Sequence, residues 1–102
     1  MPTYVLMTKL GARSRATKEG RREAGQKWKA KVESVCPGIR WVAHYALLGP
    51  YDFMDLYEAP DDGAAMRVSL LSRELGAVSA ESWPAVPYDR FLPIIEDVEK
   101  VT

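Results

Sequence analysis

The chain has 102 residues, 14 Lys and Arg against 14 Asp and Glu, and no formal net charge. That length fits a single domain spanning residues 1–102, with no room for a separate substrate domain. A hydrophobic content of 47% excludes a disordered tail, and the charge balance argues against a general nucleic-acid binder.

Residues 3–10 are β-branched and aromatic enough for a strand, which Gly11 ends. Ser14 is placed to cap a helix running to about Val35, with Ala24, Trp28, Val32 and Val35 on one face. Cys36-Pro37-Gly38 stops that helix. A second strand is expected over Ile39–Leu48, a turn at Gly49-Pro50-Tyr51-Asp52, and a third strand over Phe53–Glu58. Asp61 or Asp62 caps a second helix to about Leu75, with Met66, Leu70 and Leu71 as its buried stripe. Gly76 suits that helix's C-terminus. Ala77–Val86 reads as a fourth strand, and Pro84 suits an edge position. Tyr88–Lys100 reads as an amphipathic helix with Phe91, Ile94, Ile95 and Val98 inward and Pro93 confined to its first turn.

The order β-α-β-β-α-β predicts an α+β, ferredoxin-like fold. Its four-stranded antiparallel sheet carries two long helices on one face and leaves the other open.

The stretch Tyr45-Ala46-Leu47-Leu48-Gly49-Pro50-Tyr51-Asp52-Phe53, followed by Glu58-Ala59-Pro60-Asp61, resembles the GYD-domain family. Pro2-Thr3-Tyr4-Val5-Leu6 is similar to that family's opening, and Pro84-Ala85-Val86-Pro87 to its close. The resemblance implies a ferredoxin-like domain of the dimeric α/β-barrel type, and it lends no reaction.

Turn and cap chemistry accounts for the motif residues. Gly49 is expected at positive φ, Pro50 fixes the turn, Asp52 bonds turn amides, and Asp61 caps a helix. A functional reading makes Tyr51 and Phe53 ligand contacts at the barrel mouth.

If Leu48 lies opposite Phe53, His44 faces Tyr57 directly and Asp55 diagonally. One sheet face then holds Trp41, Ala43, Tyr45, Leu47, Met54 and Leu56, and is expected under the helices. The open face holds Val42, His44, Ala46, Leu48, Phe53, Asp55 and Tyr57, with Glu81 a further candidate. His44, Asp55 and Tyr57 together could perform acid–base catalysis near neutral pH. The plainer reading is that they hydrogen-bond across a dimer interface.

Arg13 to Glu33 holds eight basic and three acidic residues. A solvated helix face explains this, and docking of an acidic partner or nucleic acid is the alternative. The single cysteine, Cys36, excludes an intrachain disulfide and sits at a helix C-terminus that does not activate a thiol. No metal-ligand spacing, phosphate loop or dinucleotide fingerprint occurs, so no metal site is expected and the sequence leaves any cofactor unknown. No segment approaches the roughly 18 apolar residues of a membrane span. The absence of a signal-peptide pattern makes the cytoplasm the expected compartment.

The expected function is an oligomeric protein, a homodimer or larger, binding a small molecule near a sheet-to-sheet interface. The alternatives are a cofactor-independent isomerase or monooxygenase, and a docking module on the basic first helix.

Overall fold

The computed structural model describes residues 1–11 and 20–102. It contains β1 (Thr3–Leu10), α1 (Arg21–Val35), β2 (Arg40–Ala46), β3 (Phe53–Glu58), α2 (Asp62–Glu74), β4 (Ala77–Ala85) and α3 (Tyr88–Glu99). The sheet order is β2-β3-β1-β4, with every neighbouring pair antiparallel. The expected cap at Ser14 lies outside the described residues, and Gly20 occupies the N-cap position of α1. Proline-bearing β4 is an edge strand, where Pro84 removes no donor from a second neighbour.

The helix-side core joins Tyr4, Leu6, Tyr57 and Ala80 from the sheet to Val32, Cys36 and Val68. Asp61 caps α2 by accepting from the Ala64 amide at 2.9 Å. The buried stripe of α2 is Ala64, Ala65, Val68, Ser69 and Ser72 rather than Met66 and Leu70, which are 63% and 52% exposed. Small residues let the helix sit close to the sheet, and large rings on the sheet fill the remaining space. Trp41 packs between Trp28 and Tyr57, at ring distances of 5.0 and 5.5 Å. Most polar atoms in this layer find partners, the exception being Trp41 Nε1, which is buried without one. Trp28 Nε1 donates to Ser72 Oγ at 2.7 Å, and Ser72 donates to the Val68 carbonyl at 2.8 Å. On α1 the packed face is Trp28, Val32 and Cys36, whereas Ala24 and Val35 are exposed.

The helices cover the sheet face opposite to the one expected, and the β2–β3 hairpin departs from its expected pairing in two ways. The β2–β3 register shifts between Trp41 and Ala43, leaving Val42 as an extra residue. The hairpin also closes lower than a four-residue turn would: Ala46, not Leu48, lies opposite Phe53, and His44 lies opposite Asp55, not Tyr57. A shift of two moves no residue across the sheet and the extra Val42 moves only Trp41; α1 and α2 cover the face of Tyr57, Asp55 and Phe53, where Trp41 and His44 also lie. Ala43, Tyr45, Met54 and Leu56 lie on the open side, beside Val5, Met7, Glu81 and Trp83. Leu48 belongs to neither face, being fully exposed in the loop.

Gly76 has φ 112° and is the only residue at positive φ among those described, so the expectation for Gly49 is corrected. In α3 Pro93 sits in the second turn rather than the first, which removes a bond to the Asp89 carbonyl. No side chain of α3 is fully buried: Phe91, Ile94 and Val98 are exposed and Ile95 is half-buried, so the expected inward stripe does not enter the core.

Arg22, Lys27, Lys29 and Lys31 on α1 are exposed. Changing Arg22 and Lys27 to Gln is expected to move stability by less than about 0.5 kcal/mol. A fall of several degrees in the thermal midpoint would show that this face is partnered.

Candidate functional site

The Gly-Pro-Tyr-Asp turn reaches across the sheet because Asp52 anchors it to β1. The Asp52 amide donates to the Thr8 carbonyl at 2.8 Å, and its carboxylate accepts from the Leu10 amide at 2.7 Å. The Leu47 amide donates to the Asp52 carbonyl at 2.9 Å and closes the loop. Asp52 thus bonds an amide of another strand rather than those of its own turn. Asp52→Ala is expected to cost about 1–3 kcal/mol, as an amide loses a charged acceptor. The thermal midpoint measures this, and an unchanged value would remove Asp52 as the anchor.

Once anchored, the turn lays Tyr51 over the open face onto β4. Its hydroxyl donates to Glu81 Oε2 at 3.0 Å, and Ser79 Oγ donates to the same oxygen at 3.1 Å. Trp83 Nε1 donates to Glu81 Oε1 at 3.0 Å. The Tyr51 and Trp83 rings meet edge to face at 6.1 Å, with planes at 89°. The hydrogen bonds from Trp83, Tyr51 and Ser79 hold the Glu81 carboxyl below its ordinary range. The same bond to Glu81 raises the Tyr51 phenol.

The second cluster is on the helix side. His44 Nδ1 and Asp55 Oδ1 are 2.5 Å apart, and the imidazole stacks on Phe53 at 5.5 Å. Asp55 is buried, whereas the His44 side chain is 62% exposed. Burial raises the Asp55 carboxyl above its ordinary value, with the nearby His44 acting in the opposite direction. Tyr57 does not join them. Its hydroxyl is 2.6 Å from Ser82 Oγ, which lies 2.7 Å from Ser69 Oγ. Burial pushes the Tyr57 phenol up to about 12.

Of the residues singled out in the sequence, the structure brings His44 to Asp55 and seats Phe53 against His44. Tyr57 is turned into the core, and Tyr51 projects to the opposite face from Phe53. Glu81 joins Tyr51 rather than His44. Sequence reasoning missed Ser79 and Trp83 as its companions. Their alternate spacing with Glu81 on one strand was the available signal.

This sheet, with two helices packed on one face, defines a ferredoxin-like α+β protein. Solved structures share that fold. FFRP-DM1 aligns with a TM-score of 0.53 and 17% identity, covering 84% of this chain and 100% of that one. The hypothetical protein PHS023 from Pyrococcus horikoshii gives 0.52 and 17%, over 85% and 92% of the two chains. The GYD-domain model matches residues 4–95, and the chain belongs to that family. A curated relative is the glutamine synthetase and cystathionine beta-lyase binding protein of Thermus thermophilus. It is 33% identical over 87 residues, which are 85% of this chain and 90% of the relative. Among the described residues, no helix is long and apolar enough to cross a membrane.

Proposed function

We propose that the protein is an oligomeric binding module, assembled through its open sheet face, that takes a small molecule beside Tyr51. The observation carrying this reading is the uncovered face itself. Val5, Met7, Met54 and Leu56 are only half-buried, because neither α1 nor α2 covers their side of the sheet. A contiguous apolar face of this kind marks an interaction surface, and a two-fold copy offers a matching one. The motif turn places a phenol and a carboxylate on the same face, so a ligand site beside the interface follows.

Sedimentation equilibrium at low micromolar concentration tests the assembly. A dimer or larger mass is expected, and a mass of 11.4 kDa would refute it. By kinship with the Thermus relative, we extend the reading to a protein partner, a glutamine synthetase. Purified enzyme on a biosensor surface is expected to retain the protein saturably, and absence of retention at micromolar concentration would remove that partner.

The His44–Asp55 contact at 2.5 Å favours a second reading, acid–base chemistry on the helix side. His44→Ala is then expected to abolish turnover while leaving the oligomer assembled. If the pair is structural, the same change weakens the assembly or the fold instead.

A further inference from the structure

The open sheet face carries two carboxylates in contrasting company. Glu58, near one end, pairs with the guanidinium of Arg40. Glu81 receives three hydrogen bonds from neutral donors and, among the described residues, forms no ion pair. Lys9 lies on the same face opposite Ser79, and Arg73 lines the neighbouring groove between α2 and β4. Neither is within ion-pair distance of Glu81 among the described residues, and the Arg73 charge acts on it only weakly from beyond that distance. Neutral donors orient a carboxylate without cancelling its charge. If this face is covered on assembly, an uncompensated anion costs several kcal/mol unless a cation accompanies it.

We propose that Glu81, Tyr51 and Trp83 form a binding site for an organic ammonium group, primary or methylated, on a small molecule. The inference deepens the small-ligand reading above and rests on it. Both rings direct their polar edges at one carboxylate with planes at 89°, so their faces wall a corner beside the negative charge. Aromatic faces beside a carboxylate attract a cation through the ring quadrupoles as well as the charge.

The hydrogen-bond inventory selects the kind of cation. A carboxylate offers about four lone-pair sites. Tyr51 and Ser79 occupy Oε2, while Oε1 receives Trp83 alone. A guanidinium fork needs both oxygens free for bidentate pairing, whereas a primary ammonium needs only the remaining site, and a fully methylated one, having no N–H, needs only the charge and the ring faces. Calcium would require six to eight oxygen ligands, which a single carboxylate and its hydroxyl neighbours do not supply.

The test is titration of the full-length, isotope-labelled protein at constant ionic strength, followed by nitrogen–proton correlation spectra. The probes are butylammonium and tetramethylammonium, with butanol, butyrate and guanidinium as controls. The ammonium probes are expected to shift the Trp83 indole N–H and the Met7 and Glu81 amides saturably. Glu81→Gln should weaken that binding by at least about tenfold, one increment of 1.4 kcal/mol. Trp83→Leu should weaken it roughly 2- to 30-fold, read on the Met7 amide. Unchanged amide shifts at Val68 in each variant establish that the fold is intact. Equal binding of butanol, butyrate or guanidinium, or undiminished ammonium binding by Glu81→Gln, overturns the ammonium site but leaves a small-ligand site standing. If no probe shifts any resonance of the open face, both readings fall.

Discussion

Tyr57→Ala is expected to cost about 3–5 kcal/mol, a large part of the roughly 5–15 kcal/mol that holds a domain together. Tyr57 is fully buried at 0% exposure. Its ring lies 5.6 Å from that of Tyr4 and 5.5 Å from that of Trp41, so truncation opens a cavity between β1, β2 and α2. The thermal midpoint should fall by roughly 4–8 °C per kcal/mol in a domain of this size. A shift of only a few degrees would show that the site collapses or that the core lies elsewhere. Tyr57→Phe keeps the ring and removes the hydroxyl. Ser82 and Ser69 still have each other, so about 1 kcal/mol is expected.

The same residue gives an alkaline signature. Burial raises the phenol from 10.0 to about 12, so the folded state favours the neutral form. That contribution is fully present below pH 10 and is lost as pH rises through the folded value of about 12. Tyr4 adds to the effect in the same window, because its hydrogen bond to Asp62 also raises it to about 12. In Tyr57→Phe the alkaline loss should shrink.

The features legible in the sequence were those set by local backbone chemistry. Asp61 was a legible cap because a carboxylate ahead of α2 meets free amides, and Gly76 was legible because the helix exit needs positive φ. Pro84 marked an edge strand for want of an amide hydrogen. The sheet faces were not legible. An extra residue at Val42 leaves Trp41 and His44 on one side despite their odd spacing, and nothing in Trp-Val-Ala-His announces it. The loop length was equally hidden, because Asp52 is held by Thr8 and Leu10, 42 residues away in the case of Leu10.

The inverted faces carry over to the site. The expected group of His44, Asp55 and Tyr57 assumed a register two residues away from the observed one. Two members still meet, since a shift of two preserves the side on which residues point. Tyr57 is lost to Ser82 because the layer beneath α2 contains serines in place of large apolar side chains. Met66 and Leu70 appeared more suitable for burial by hydropathy alone. The aromatic rings from the sheet had already claimed that volume, leaving room only for small residues on the helix.

Phe91→Asp with Ile94→Asp is expected to dissociate the proposed oligomer and unwind α3 without unfolding the sheet. An isolated helix shorter than about 12–15 residues is marginal in water. At 12 residues, α3 also carries Pro93 in its second turn, which removes one of its own hydrogen bonds. It nonetheless leaves Phe91 at 42%, Ile94 at 51% and Val98 at 49% exposure, and it fully buries no side chain against its own domain. A helix this short and this interrupted needs an apolar surface to lie on, and in the proposed assembly a second copy supplies one. Two aspartates on that stripe put charge where the partner's apolar surface would be and should weaken association by at least about 30-fold, the value of one 2 kcal/mol hot spot. Sedimentation should then give the monomer mass, and far-ultraviolet circular dichroism should lose about one short helix. The melting of the sheet core should persist, because Tyr57, Val68 and Leu6 are untouched. A variant that keeps the parent's mass and helicity would show that α3 is stable alone and plays no part in assembly.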